Sequence, residues 1–209
     1  MSLGKVVVIG QGYVGLPVAV RAAEVGYSVV GVDVDETRAR SLSAGESFVE
    51  DIPAERLRPL IANNQYRATS NYDEVAGFEV AVITVPTPLT EGLPDLSFIE
   101  DSASALAPHV SKGATVILES TTYPGTSEEL LVPILENGSG LKAGKDFHVG
   151  YSPERIDPGN PTWRLENTPK VVSGIDADSL KAVDGFYRNL VERTVPVTSP
   201  KEAELTKLL

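Results

Sequence analysis

The chain has 209 residues with no Cys, 42% of them apolar and 22% charged, which supports one well-buried core, argues against disorder, and excludes thiol catalysis or thiolate metal sites within these residues. Eighteen Lys and Arg against 29 Asp and Glu give a net charge of -11, arguing against nucleic acid or an anionic membrane surface as the main partner while leaving room for a local basic site. The apolar runs fall far short of the roughly 20 residues that span a bilayer, and no signal-peptide core opens the chain, so the expected setting is the cytoplasm, off the membrane. Met1-Ser2-Leu3 reads as an expression scar and is set aside.

The first element is Lys5-Val6-Val7-Val8-Ile9, a β-branched run suited to a strand buried on both faces, and it runs into Gly10-Gln11-Gly12-Tyr13-Val14-Gly15. In this G-x-G-x-x-G spacing Gly10 permits a tight turn, Gly12 lets the backbone approach a pyrophosphate, and Gly15 lets the following helix press on the strand. That helix, expected from about Val14 to Val25, offers unpaired N–H groups and a positive dipole end to phosphates. A Gly-rich turn that binds nothing is the plain alternative for an isolated match.

A second strand, Tyr27 to Asp33, ends in an acidic residue 18 positions past Gly15, near the offset at which a carboxylate holds an adenosine ribose. Asp33 could instead cap the next helix, a job for which Asp35 competes. That helix, Glu36 to about Ala44, places Arg38 in its first turn, within reach of the adenosine side or simply solvated. A loop over Gly45 to Pro53, a short helix over Ala54 to Ala62 and a short strand over Tyr66 to Thr69 follow.

Glu79 to Val85 is the next buried strand, and Pro86-Thr87-Pro88 makes a stiff exit. Ligands of a doubly wound sheet sit beyond the carboxyl ends of its strands, which puts Val85 and Thr87 where such contacts belong; a rigid turn alone fits the spacing equally well. A helix capped by Asp95 or Ser97 carries Ile99, Ala103 and Leu106 inward. Ala114 to Glu119 is a strand ending in the hydroxyl cluster Ser120-Thr121-Thr122, which could cap the helix expected over Ser127 to Leu135 or bind the far end of a dinucleotide or a water.

Asp146 to Tyr151 is a further strand delivering Ser152-Pro153-Glu154-Arg155-Ile156-Asp157-Pro158-Gly159-Asn160. A Pro-punctuated loop with two carboxylates and an Arg at a strand end is an active-site candidate, or a solvated turn. His109 and His148 stand far apart without acidic partners at ligand spacing, so no metal or catalytic role is assigned to them. Lys170 to Ser173 reads as a strand, Ala177 to Val191 as a helix, Thr194 to Val197 as a last strand, and a helix begins at Pro200. On spacing alone Lys207 would be a surface lysine paired with Glu204. The pattern is α/β: a doubly wound, mostly parallel Rossmann-like sheet with helices on both faces.

These blocks, with Val85-Pro86-Thr87-Pro88, Glu119-Ser120-Thr121, Ser152-Pro153-Glu154-Arg155, Pro169-Lys170-Val171-Val172 and Ala203-Glu204-Leu205-Thr206-Lys207, resemble the UDP-glucose/GDP-mannose dehydrogenase family over Lys5 to Leu209. That family oxidises the C6 alcohol of a nucleotide sugar to a carboxylate with two NAD. The resemblance implies that Tyr13, Val14, Asp33, Arg38, Thr87 and Thr121 contact NAD, in agreement with the motif and strand-end reading that puts Gly10, Gly12, Gly15 and Val85 in the same site. It implies that Glu154 handles water in thioester hydrolysis, that Lys207 stabilises negative charge on the oxidised oxygen, with Thr121 beside them, and that Arg155 and Ile156 contact substrate. Glu154-Arg155-Ile156-Asp157-Pro158-Gly159-Asn160 is similar to the branch acting on UDP-N-acetylhexosamines, with UDP-glucose as the alternative. A stand-alone NAD-binding regulatory module is a reading from another class: it needs neither Lys207 nor Glu154.

The family's second oxidation runs through a cysteine, and this chain has none. The sequence stops in an apolar-rich helix without cap or breaker. Residues 1–198 are therefore expected to form the NAD-binding domain and 199–209 the start of a connecting helix, with the sugar-binding domain missing and the full-length protein a homodimer or larger. The 209 residues alone are expected to bind NAD without turning over a UDP-sugar.

Overall fold

Residues 3–90, 92–156, 160 and 162–207 are described by a computed structural model. Asp157, Pro158 and Gly159 of the Glu154 loop lie outside the described residues, as do Met1, Ser2, Leu208 and Leu209.

Six parallel strands make the main sheet: β1 (Lys5–Ile9), β2 (Ser28–Val32), β3 (Tyr66–Thr69), β4 (Val80–Ile83), then, past a small antiparallel hairpin of β5 (Leu89–Thr90) and β6 (Leu93–Pro94), β7 (Thr115–Leu118) and β8 (His148–Tyr151). Their order is β3-β2-β1-β4-β7-β8, so the chain winds outward one way from β1 and then the other, leaving a crevice at the β1/β4 junction. The alternation of β1 decides the two cores. Val6 and Val8 join Leu16 and Val20 on one face, while Val7 and Ile9 join Ile99, Ala103 and Leu135 on the other. Burial on both faces is why the central strands β1, β4 and β7 read as apolar runs.

The first face is covered by α1 (Gly15–Glu24), α3 (Ala54–Ala62) and α6 (Ala177–Leu190), with Leu42 of α2 (Glu36–Ser43) in the same cluster. The second is covered by α4 (Ser97–Leu106) and α5 (Val132–Ser139). The helix expected from Ser127 instead opens with a π-helical turn, Ser127–Leu131, before α5. Pro133, at the head of α5, has no amide to give back to that turn, so the wider spacing loses no bond that an α-turn would have kept there. Lys170–Val172 (β9) and Thr194–Pro196 (β10) pair in parallel as a separate two-stranded sheet. Its link to the main sheet lies just past β9, where the Ser173 and Ile175 amides donate to Tyr151 and Val149 carbonyls at 3.1 and 3.0 Å. Helix α7 (Pro200–Thr206) follows, capped by Ser199. Among the described residues no helix is long and apolar enough to cross a membrane.

Candidate functional site

The glycine loop sits at the crevice. Gly10 has φ +89°, and a Cβ at Gly15 would fall on the Gly10 carbonyl oxygen and the Thr84 hydroxyl, so α1 can start this close to β1 only from glycine. A Cβ at Gly12 would meet no atom within 4 Å. The open side of the loop is therefore where a pyrophosphate can approach the backbone and the first-turn amides of α1, and the loop fits a dinucleotide.

Two side chains that the sequence reading passed over hold this loop. Gln11, fully buried, donates to the Val8 carbonyl at 2.8 Å and accepts from the Tyr66 hydroxyl at 2.8 Å, in space that a side chain at Gly31 would take. Thr84, just past β4, donates to the Ile9 and Gly10 carbonyls, both at 2.8 Å. A polar residue between two glycines, and a hydroxyl closing an apolar strand, were the available signals.

The two acids at the end of β2 divide the work. Asp35 caps α2, accepting from the Thr37 and Arg38 amides at 2.9 and 3.2 Å. Asp33 is left to the loop, where one oxygen accepts from the Gln11 amide and the Arg38 guanidinium, each at 2.9 Å, and the other from the Asp35 amide at 3.0 Å. Arg38 also lies 5.1 Å over the ring of Phe48, and Phe48 meets Tyr13 edge-on at 6.2 Å. Phe48, which sequence placed in a plain loop, thus links the glycine loop to the Arg38 side and borders a cleft with Asp35, Arg38 and Ser41.

On the other side of the glycine loop a cavity is lined by Tyr13, Val14, Glu154, Ile156, Trp163 and Leu165, among others. Residues about 140 positions apart in sequence are brought to one wall here because β1 and β8 both deliver their carboxyl ends to the same rim of the sheet. Glu154 turns inward: Oε1 accepts from the Arg155 and Ile156 amides, both at 2.7 Å, and Oε2 from Lys170 at 2.9 Å. Burial alone would raise its pKa, but Lys170 and these amides outweigh it and hold the carboxyl below the usual glutamate range. Arg155 is exposed.

The hydroxyl cluster does not cap the helix that follows it. Ser120 donates to the Val85 carbonyl at 2.7 Å, Thr122 bonds Thr126, and Thr121 is exposed. Val85 and Thr87, both partly buried, follow β4, the strand that pairs with β7, which precedes Thr121. The cap comes from far along the chain. Glu204 of α7, fully buried, accepts from the Gly125 and Ser127 amides at 2.6 and 2.9 Å and from the Ser127 hydroxyl at 2.7 Å. Lys207 consequently has no surface pair with Glu204; its ammonium donates to the Glu154 carbonyl. Replacing Glu204 with Gln is expected to lower the unfolding free energy by about 2 kcal/mol, since an amide turns one donor toward the donors it must satisfy. Urea denaturation checks this, and an unchanged midpoint would mean that α7 is seated by other contacts.

Residues 4–191 match the model of the UDP-glucose/GDP-mannose dehydrogenase family, NAD binding domain. The chain is 38% identical over 207 residues to the UDP-N-acetyl-D-glucosamine 6-dehydrogenase of Pseudomonas aeruginosa, covering 98% of this chain and 48% of that protein. It is 33% identical over 206 residues to the UDP-N-acetyl-D-mannosamine dehydrogenase of Pyrococcus horikoshii, covering 98% and 49%. The solved structure of a UDP-D-ManNAc dehydrogenase from Pyrococcus horikoshii superimposes with a TM-score of 0.92 at 33% identity, again over 98% of this chain and 49% of that one. The chain spans about half the length of the curated relatives it matches.

Proposed function

Because this chain belongs to the UDP-glucose/GDP-mannose dehydrogenase family by its NAD-binding domain, we propose that it is the cofactor-binding half of an enzyme oxidising the C6 alcohol of a UDP-N-acetylhexosamine to a carboxylate with two NAD. The observation that carries this reading is the meeting of Glu154 and Lys207 beside the wall that Tyr13 and Val14 share with Glu154 and Ile156. A module that only senses NAD has no need of a buried carboxylate and an ammonium there.

Bound NAD supplies the hydride acceptor. The glycine loop and the start of α1 hold its pyrophosphate, and Asp33 and Arg38 face its adenosine end. Val85, Thr87 and Thr121, on the neighbouring exits of β4 and β7, line its further course. Lys207 places a positive charge where the C6 oxygen becomes anionic as its proton leaves, which lowers the barrier to that charge. Glu154, kept anionic, is the group able to accept a proton from water in the hydrolytic step. Arg155, exposed beside the cavity-lining Ile156, and Ile156 itself contact the sugar nucleotide in this reading, and the UDP-N-acetylhexosamine preference is supported by the two relatives named above. The proposed setting is the cytoplasm, with the full-length protein a homodimer or larger.

The test is stoichiometric. The full-length protein, given NAD and UDP-N-acetylglucosamine, UDP-N-acetylmannosamine or UDP-glucose in turn, is expected to yield two NADH per uronate with an N-acetylated sugar and little with UDP-glucose. Turnover with UDP-glucose alone would reassign the substrate, and NAD binding without turnover on any UDP-sugar would favour the sensor reading. The 209 residues by themselves, Cys-free, are expected to titrate with NAD in a calorimeter and to produce no NADH with a UDP-sugar; any NADH formed by them would refute this.

A further inference from the structure

Three buried residues next to Glu154 have no part in the function as proposed so far. Lys170 opens β9, Glu119 follows β7, and Tyr187 lies on α6. The Lys170 ammonium, its side chain only 4% exposed, is 2.9 Å from Glu119 Oε1 and 2.9 Å from Glu154 Oε2. The Tyr187 hydroxyl donates to the same Glu119 oxygen, and its ring lies 5.3 Å from the ammonium. Glu119 Oε2 is buried without a hydrogen-bond partner among the described residues.

Two carboxylates and one ammonium out of water carry one negative charge too many. Burial drives the Glu119 carboxyl up; Lys170 opposes this and Glu154 adds to it. Burial would discharge Lys170, but Glu119 and Glu154 outweigh it and keep it protonated. Glu119 is thus the member pushed toward neutrality, and the ammonium is left to Glu154. As a device for stability alone such a set is poor, because apolar residues of the same volume often do as well or better. Its position suits a different use: it grips the side-chain carboxylate of the residue whose backbone carbonyl takes the Lys207 ammonium.

We propose that Lys170, held in place by Glu119 and Tyr187, is a positioning residue that fixes the Glu154 carboxylate in one orientation and one charge state beside Lys207. The inference rests on the function proposed above. Among the described residues the charged and titratable groups bonded to this cluster are Glu119 after β7, Lys170 from β9, Tyr187 from α6 and Lys207 after α7, with the neighbouring Arg155, and Tyr13, Asp51, Arg56, Arg164 and Glu166 line the cavity that Glu154 borders.

The experiment uses the full-length protein carrying the paired change Lys170→Met with Glu119→Gln, which removes the cation and its second counter-charge together. Lys170→Met alone would strand Glu119 and could unfold the protein. The paired variant is expected to keep its NAD affinity, to lose about tenfold in kcat, and to show the acid limb of its kcat profile at higher pH, because Glu154 stays buried without its ammonium. Lys170→Arg, which keeps the charge, is expected to leave that limb in place. A paired variant with the kcat and acid limb of the wild type would overturn the proposal.

A second readout needs no turnover. With 13C-carboxyl glutamate, the Glu154 resonance of the wild type is expected to titrate below the ordinary glutamate range, and that of the paired variant above the wild-type midpoint. A wild-type midpoint at or above the ordinary range, or equal midpoints in the two proteins, would overturn the proposal even if the paired variant proved unstable in assays. A wild type that oxidises no UDP-sugar counts against the proposed function alone, since the carboxyl titration still decides the role of Lys170.

Discussion

Gly12→Val is expected to weaken NAD binding by about 100-fold or more, near 3 kcal/mol, while leaving thermal stability within about 1 °C of the wild type. The two halves of this expectation come from one observation. A Cβ at Gly12 meets no atom beyond its chain neighbours within 4 Å, and the residue does not have the positive φ that strains a side chain. The backbone therefore leaves room for the first atom of a side chain, and the expected cost to folding is that of an ordinary surface change. The same open space is the approach to the amides at the head of α1, and a valine there holds the pyrophosphate off the backbone. Gly15→Ala is the contrasting control: its Cβ falls on the Gly10 carbonyl oxygen, a backbone atom, so both stability and binding should suffer. Calorimetric titration with NAD and thermal unfolding of both variants separate the two effects. Wild-type affinity in Gly12→Val would mean that the cofactor does not cross the loop at that residue.

What the sequence discloses about this protein follows the range of the interactions involved. The strands at the centre of the sheet were visible because they are buried on both faces and so are written as apolar runs rich in β-branched residues, as in Val6-Val7-Val8-Ile9, whereas the exposed Leu89–Thr90 carries no such run. The glycine loop was visible because backbone geometry restricts the residue type at Gly10 and Gly15, whatever lies elsewhere. Asp33 and Asp35 could be named as competitors for one cap, but only the bond from the Gln11 amide, 22 residues away, decides between them. Beyond that range the chain is silent. Lys170 reads as the first residue of a strand, and nothing near it announces that Glu119 and Glu154 converge on its ammonium. Glu204 and Lys207 stand at the spacing of a surface ion pair, yet Glu204 turns to amides 77 and 79 residues back and Lys207 to a carbonyl 53 residues back. A lysine opening an apolar strand was the only local feature at Lys170, and Lys5 opens β1 in the same way while only partly buried, so that feature names neither the burial of the charge nor its partners.

Lys207→Ala in the full-length protein is expected to lower kcat by about 100- to 1,000-fold, the usual cost of removing one group aimed at a developing oxyanion, with NAD affinity unchanged. The argument is one of placement. Helix α7 has seven residues, too few to hold its own position, and Lys207 is its C-cap. Glu204, one turn earlier, pins the helix to the Gly125 and Ser127 amides, just beyond Thr121, while the Lys207 ammonium reaches the loop of Glu154. One short helix therefore sets the distance between the exit of β7 and the exit of β8. In the function proposed above, its lysine is the charge for the reacting oxygen, held by the same seating that joins both loops. Removing the ammonium should cost the chemical step and not cofactor binding, because the glycine loop, Asp33 and Arg38 lie on other elements. The loss should fall on kcat, with KM for the sugar nucleotide nearly constant, since the interaction strengthens only as the oxygen gains charge. Glu204→Gln should reproduce part of the kcat loss by loosening the helix, and added together the two changes should cost less than their sum, as expected for groups acting through one seat. A Lys207→Ala protein within tenfold of wild-type kcat would place the oxyanion contact on another residue.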